Sequence, residues 1–134
     1  MADTAITAAE LGDKISYRQT TRPRTMSGTF VADDTDYHAM ELDMRVQNGL
    51  MYGAENLSDK EMTITLYGAF ESGLDVATDT DVFAIDDVGL VVGAVGSAYE
   101  TTGDKFPYYI IRCKVAVTPT GATVVTVYAE SRES

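Results

Sequence analysis

The sequence predicts an all-β protein, an antiparallel β-sandwich of jelly-roll type with a short N-terminal arm. Three observations carry that prediction. Apolar residues recur with period two in several short runs. Turn-forming residues separate these runs at intervals of roughly 8–15 residues. No strand–helix–strand alternation, internal repeat or low-complexity stretch interrupts the 134 residues. An immunoglobulin-like sandwich is the competing architecture. It loses ground because its Cys…Trp…Cys signature needs a tryptophan and two cysteines, and this chain has no Trp and one Cys. The division expected is 1–24 as an N-terminal arm or edge strand and 25–134 as the sandwich.

Taken in order, "AITAAEL" before Gly12 fits either a short helix ending at that glycine or an extended arm. Ile15 and Tyr17 alternate with polar neighbours until Pro23, which suits an edge strand or an extended segment. In the next run His38, Met40, Leu42, Met44 and Val46 share one face, with Tyr37, Glu41, Asp43, Arg45 and Gln47 on the other. The even face is assigned to the core. Asn48-Gly49 matches a two-residue hairpin turn leading into Leu50, Met51 and Tyr52, with Gly53 marking a bulge. Met62, Ile64 and Leu66 then point inward, with Thr63, Thr65 and Tyr67 outward. "VFAIDDVGLVVGAVGSAYE" gives two strands broken at Asp86-Asp87 and by glycines. About eight strands result.

The last stretch reads as a hairpin around Thr118-Pro119-Thr120-Gly121. With Gly121 left-handed, a three-residue loop pairs Val117 with Thr123, Val115 with Val125, Cys113 with Val127 and Ile111 with Ala129. This odd-numbered face is the expected core face. The even-numbered face also carries apolar bulk. Tyr108, Ile110, Arg112 and Tyr128 are rich in the residue types found at subunit interfaces, so they are assigned to contact between copies in a homo-oligomer. A loop or the N-terminal segment folding over that face is the alternative.

Charge restricts partners. The net charge is −11, which argues against nucleic acid and against anionic membranes. Yet Lys14, Arg18, Arg22 and Arg24 form a stretch without an acidic residue, while residues 25–134 carry a balance of −12. The cations either pair with the chain's own carboxylates or dock on an acidic partner; Arg18, Arg22 and Arg24 are the candidates for docking. The N-terminus has no signal-peptide pattern and no stretch reaches membrane-spanning length, so synthesis in the cytoplasm is expected.

Catalytic chemistry finds little support. His38 is the only histidine, which removes multi-histidine metal sites, and it lies on an apolar face, where a satisfied core or interface role is expected. Cys113 is in phase with core residues and reads as a buried small hydrophobe. Asp33, Asp34 and Asp36, and then Asp79, Asp81, Asp86 and Asp87, lack EF-hand spacing and read as solvated loops. No nucleotide-binding glycine loop or nucleophile elbow is present. No catalytic residue, metal or cofactor is assigned.

Phe106-Pro107-Tyr108 and the following "YYIIRCKVAVTPTGATVVTVYAE" resemble the C-terminal hairpin of small jelly-roll proteins of tailed-bacteriophage virions. "NLSDKEMTITLYGAFESG" is similar to an earlier strand and loop of such chains. The two segments cover less than half of the sequence. The resemblance implies a head decoration (cement) protein, a non-enzymatic trimer on the capsid exterior that bridges major capsid proteins and stabilises the shell. A phage tail or fibre module that binds carbohydrate or a receptor is the second hypothesis, with the eight tyrosines as stacking platforms. A hydrolase with dispersed carboxylates is the third.

Overall fold

The two runs of the C-terminal stretch lie in different sheets. The computed structural model describes residues 4–11, 25–43, 50–102 and 106–131. In it ten strands form two five-stranded sheets. These are β1 (Thr4–Ala5), β2 (Thr7–Leu11), β3 (Thr25–Ala32), β4 (His38–Asp43), β5 (Leu50–Asn56), β6 (Met62–Ala69), β7 (Val82–Val92), β8 (Gly96–Thr102), β9 (Tyr108–Val115) and β10 (Thr123–Ser131). One sheet, A, has the order β1-β4-β9-β6-β7, and the other, B, has the order β2-β3-β10-β5-β8. Pairings are antiparallel except β1 with β4. From β3 to β10 every consecutive pair but β6–β7 is split between the sheets, a jelly-roll arrangement.

The inward faces follow the sequence pattern. His38, Met40 and Leu42 of β4 pair with Cys113, Ile111 and Tyr109 of β9, which pair in turn with Ile64, Leu66 and Gly68 of β6. Sheet B opposes them with Phe30, Ala32, Leu50, Tyr52, Ala54, Val125, Val127 and Ala129, all buried. Each such side chain leaves water at roughly 25 cal/mol per Å² of apolar area, and that term holds the two layers together.

Several expectations are corrected. Asn48-Gly49 lies outside the described residues, but the hairpin assigned to it does not form, because β4 and β5 belong to opposite sheets. The C-terminal hairpin fails for the same reason. Ile111, Cys113, Val115, Val125, Val127 and Ala129 are core residues as expected, but they face one another across the sandwich and not along a ladder. Val117 is 58% exposed in the connecting link, and Gly121 is not left-handed. Of the two readings open for residues 4–11, the extended one holds: β1 joins sheet A, Ile6 is buried, and β2 joins sheet B. Gly53 sits in unbroken register and makes no bulge; Tyr99 and the Ala98 carbonyl lie where its Cβ would be. Asp86-Asp87 does not end a strand. It lies between two register shifts inside β7, where Tyr67 pairs with Ala84, Leu66 with Asp86 and Ile64 with Leu90, and Gly89 within the second takes φ 103°. The true break before β8 is the turn 93–95. Ile15, Tyr17, Met44 and Val46 lie outside the described residues.

Buried polar groups fix the links between sheets. The Asn56 amide nitrogen lies 2.7, 3.4 and 3.3 Å from the carbonyl oxygens of Lys60, Val92 and Gly93, and its oxygen accepts from the Ser58 N–H and hydroxyl. One side chain thereby ties the β5–β6 link to the β7–β8 turn. The β9–β10 link is held at Thr120, whose N–H and hydroxyl donate to Asp59. These bonds hold the Asp59 carboxyl below its ordinary range.

Cys113 has no exposed surface, and burial pushes its thiol up to about 12 from an ordinary 9.0. A thiol reagent such as DTNB is therefore expected to leave the native protein unmodified and to react fully after urea unfolding. Above pH about 9 the unfolded chain loses this proton and the folded chain keeps it. The urea midpoint of the wild type should accordingly fall relative to Cys113→Val as pH rises from 9 toward 12.

Candidate functional site

Three of the four phenylalanines converge at one end of the sandwich. Phe70 follows β6, Phe83 lies in β7 and Phe106 precedes β9. Ring centroids are 5.5 Å apart for Phe70–Phe83, 5.5 Å for Phe70–Phe106 and 5.8 Å for Phe83–Phe106. Phe106 lies across Gly68, in the space a Cβ would fill, and stands edge-on to Tyr109. Its N–H donates to the Tyr109 hydroxyl at 3.2 Å. The base of the cluster is thus fixed to the core, while Phe70 is 67% and Phe83 46% exposed. Each aromatic pair contributes about 0.5–1.5 kcal/mol beyond area burial, so the rings hold their arrangement while still facing water. Nothing in the local pattern predicts this site, because the three residues come from loop, strand and strand entry and share no period.

A second exposed surface is the outer face of sheet B. Val31 of β3, Val124 and Tyr128 of β10, Met51 of β5 and Tyr99 of β8 are each 36–55% exposed on it. Gly53 pairs with Tyr128 on one side and Tyr99 on the other, so two tyrosines flank a position without a side chain. Thr29 and Thr126 lie on the same face, paired with each other.

The proposed interface residues do not form one surface. Tyr108, Ile110 and Arg112 point outward from sheet A, and Tyr128 points outward from sheet B. The shared even-numbered face required a hairpin, and the strands cross between sheets instead. Ile110 is only 3% exposed. It shares a recess of about 200 Å³ with Ala5, Leu74 and Val76. Beside it Glu41 accepts from the Ser72 hydroxyl and the Gly73 N–H at 2.7 and 2.8 Å, pinning the loop that follows β6. The chain's own loop and N-terminal strand therefore border this part of the face. The Arg112 guanidinium stacks 3.6 Å from the Tyr37 ring centre, with the Lys114 ammonium at 4.9 Å. Arg18, Arg22 and Arg24 lie outside the described residues.

The acidic loops turn mostly on their own backbone. Asp34 accepts from the Asp36 N–H, Asp79 from the Asp75 N–H and Asp75 from the Ala77 N–H. Among the described residues no three His, Cys, Asp or Glu side chains gather in a metal-holding arrangement. Asp86 is the exception to the solvated-loop expectation. Its Oδ1 accepts from the Gly89 N–H at 3.0 Å, and its Oδ2 lies 3.1 Å from the Tyr52 hydroxyl, which is also 3.1 Å from Glu100 Oε2. A phenol has one proton and can donate to one carboxylate at a time. Burial first, and then the charges of Asp86 and Glu100 and their hydrogen bonds, raise the Tyr52 phenol well above its ordinary value. The group clasps edge strand β7 of sheet A to β5 and edge strand β8 of sheet B.

No protein-family model matches the chain, and no curated protein does. Among solved structures the fold is similar to that of PirA, with 11% identity, 90% of this chain and 99% of that one covered, and a TM-score of 0.56. It is similar to the PBSX exported protein XepA at 10% identity, covering 86% of this chain and 38% of that one, with a TM-score of 0.60. The Yersinia pseudotuberculosis-derived mitogen matches at 11% identity over 81% of this chain and 86% of its own, with a TM-score of 0.51. This chain thus spans well under half of XepA. What is shared at these identities is the fold.

Tyr52→Phe tests the clasp. It should cost about 1–2 kcal/mol near neutral pH, at the low end for a charged acceptor because Glu100 is exposed. With a raised folded value, the tyrosine's contribution is present below pH about 10 and lost above it. The difference in urea midpoint between wild type and Tyr52→Phe should therefore shrink as pH rises past 10.

Proposed function

We propose that the chain is a structural protein of a bacteriophage particle, a decoration (cement) protein made in the host cytoplasm that attaches to the capsid exterior and bridges major capsid proteins without catalysing a reaction. One observation carries this reading beyond the sequence resemblance. The sandwich exposes two separate apolar surfaces, the phenylalanine cluster at its end and the tyrosine–valine face of sheet B. A bridging protein needs contact surfaces that face different ways, and multivalent contact lets individually weak patches add up. Exposed apolar patches of this kind mark interaction sites. In this reading the phenylalanine cluster joins copies into a trimer, and the flat face of sheet B rests on the capsid.

A specific observation favours a second reading, a tail or fibre module that binds carbohydrate. Tyr99 and Tyr128 flank Gly53 on an open sheet, a geometry on which sugar rings can stack. Saturable glycan binding that Tyr99→Ala and Tyr128→Ala abolish would favour it over decoration.

Co-sedimentation with expanded capsids of the encoding phage, together with light scattering, tests the decoration reading. Phe83→Ser should convert trimer to monomer while leaving the fold intact. Tyr99→Ser combined with Val124→Ser should remove capsid binding and leave the trimer. A monomeric wild type, or capsid binding unchanged in the double variant, would overturn the assignment of these surfaces.

A further inference from the structure

A polar group sealed inside the fold offers a ligand nothing. His38 departs from the satisfied role expected of it: it is 7% exposed and stacked on Phe30, and neither ring nitrogen has a partner among the described residues. Neither nitrogen presents surface to another molecule either. A row of unpaired polar groups that a partner can reach lies along an edge of sheet B.

The edge strands are β1 and β7 in sheet A and β2 and β8 in sheet B. An unguarded edge is a template for a further strand. β1 is two residues long. β2 breaks register between Ala8 and Glu10, and β7 breaks it twice. β8 pairs with β5 without a break from Gly96 to Thr102, and GSAYETT contains no proline and no lysine. The Ala98 carbonyl oxygen lies where a Cβ on Gly53 of β5 would be, so it points toward β5. Backbone groups alternate along an antiparallel strand, so the N–H and C=O of Ser97, Tyr99 and Thr101 point away from β5. All three residues are exposed, and these backbone groups have no partner among the described residues.

The guard on β8 is a charge. Glu100 pairs with Tyr52 on the inner side of the strand, yet it is exposed at the rim. Its Oε2 lies 3.1 Å from the Tyr52 hydroxyl, which is also 3.1 Å from Asp86 Oδ2. The phenol has one proton, so one of the two carboxylates is always without it. A strand added to β8 covers this spot. An apolar or acidic strand would take an unserved carboxylate out of water, which is costly. A second β8 would set two Glu100 side chains on the same face of one short ladder, between bodies that each carry −11. A strand with lysine or arginine opposite Glu100 supplies the missing donor. The residues next to that cation then lie on the other face beside Tyr99, where an apolar side chain covers the ring.

We infer that β8 is a docking edge for an extended segment of a partner protein that turns a lysine or arginine toward Glu100. The inference stands on the edge strand and does not require the decoration role.

Hydrogen exchange of the full chain, followed by NMR at neutral pH, tests it. In the free protein the Ser97, Tyr99 and Thr101 amides should exchange fast, and those of Ala98 and Glu100 slowly. The peptide acetyl-Thr-Val-Lys-Val-Thr-Val-amide sets lysine and threonine on one face and valine on the other. With Kd on the order of 1 mM, about 10 mM of it should slow the three outward amides about tenfold. Glutamate in place of its lysine should weaken binding about tenfold or more, and Glu100→Lys should reverse that preference. Of two peptides, one N-methylated on its valines and one on its threonines and lysine, only one should keep the effect, because alternate amides face β8. The inference is overturned if the outward amides are unmoved, if the lysine and glutamate peptides act alike, or if both N-methylated peptides bind. It is equally overturned if those amides are already protected in the free protein, by a second copy where dilution exposes them and by the chain itself where it does not.

Discussion

The structure depends on one facing pair. β9 is the middle strand of sheet A and β10 the middle strand of sheet B, and the odd-numbered residues of both point into the same core. Tyr109, Ile111, Cys113 and Val115 form one wall, and Val125, Val127 and Ala129 the other. The seven-residue link 116–122 has to carry the chain across the thickness of the sandwich, roughly 10 Å between sheets. Asp59 holds that link through Thr120, and the Ala116 N–H donates to the Glu61 carbonyl at its start. Every other strand of the core is positioned by pairing outward from these two, β4 and β6 beside β9, β3 and β5 beside β10.

That placement explains why both runs of the C-terminal stretch are apolar on two faces. A middle strand has neighbours on both edges, so its inner side chains meet core on every side. Its outer side chains then depend on what lies above the sheet. On β9 the outer face is largely taken up within the chain: Ile110 is buried beside the loop that Glu41 pins, and Arg112 stacks on Tyr37. On β10 the outer residues Val124 and Tyr128 remain open to solvent. The surplus apolar surface therefore has two causes, one internal and one facing outward, and only the second offers a partner a surface.

The division between what the sequence reveals and what it hides has a physical basis. Inward and outward positions are legible because the pleat is local: His38, Met40 and Leu42, or Met62, Ile64 and Leu66, declare a face within five residues. Pairing is not local here. In this topology consecutive strands lie across the core from one another, so a turn signal such as Pro119 and Gly121 identifies a reversal without saying whether it joins neighbours in a ladder or crosses between layers. The same ambiguity misplaced the partner of β4. The phenylalanine cluster escaped because its members are brought together only by the register of β6 with β7 and β9, which sets Gly68 opposite both Phe83 and Tyr109. His38 was legible as buried but not as unpartnered, since satisfaction depends on the β3–β4 loop and on Phe30 across the core.

The exposed aromatic residues differ from ordinary surface groups in how little freedom they retain. Tyr99 lies over Gly53, and the absence of a Cβ there is what lets it approach the backbone of β5. Phe106 occupies the corresponding space over Gly68 and supports Phe70 and Phe83. Two glycines on inner and outer faces of different sheets thus serve one purpose, holding an aromatic ring against backbone. A ring already held this way surrenders less rotamer entropy when a partner covers it, so more of the burial energy appears as affinity. A larger residue at Gly68 would run into the Phe106 ring, and one at Gly53 would run into both the Tyr99 ring and the Ala98 carbonyl of the paired strand. The two surfaces are therefore part of the fold's own packing, which is why a sandwich with a closed core can still present apolar contacts in fixed positions.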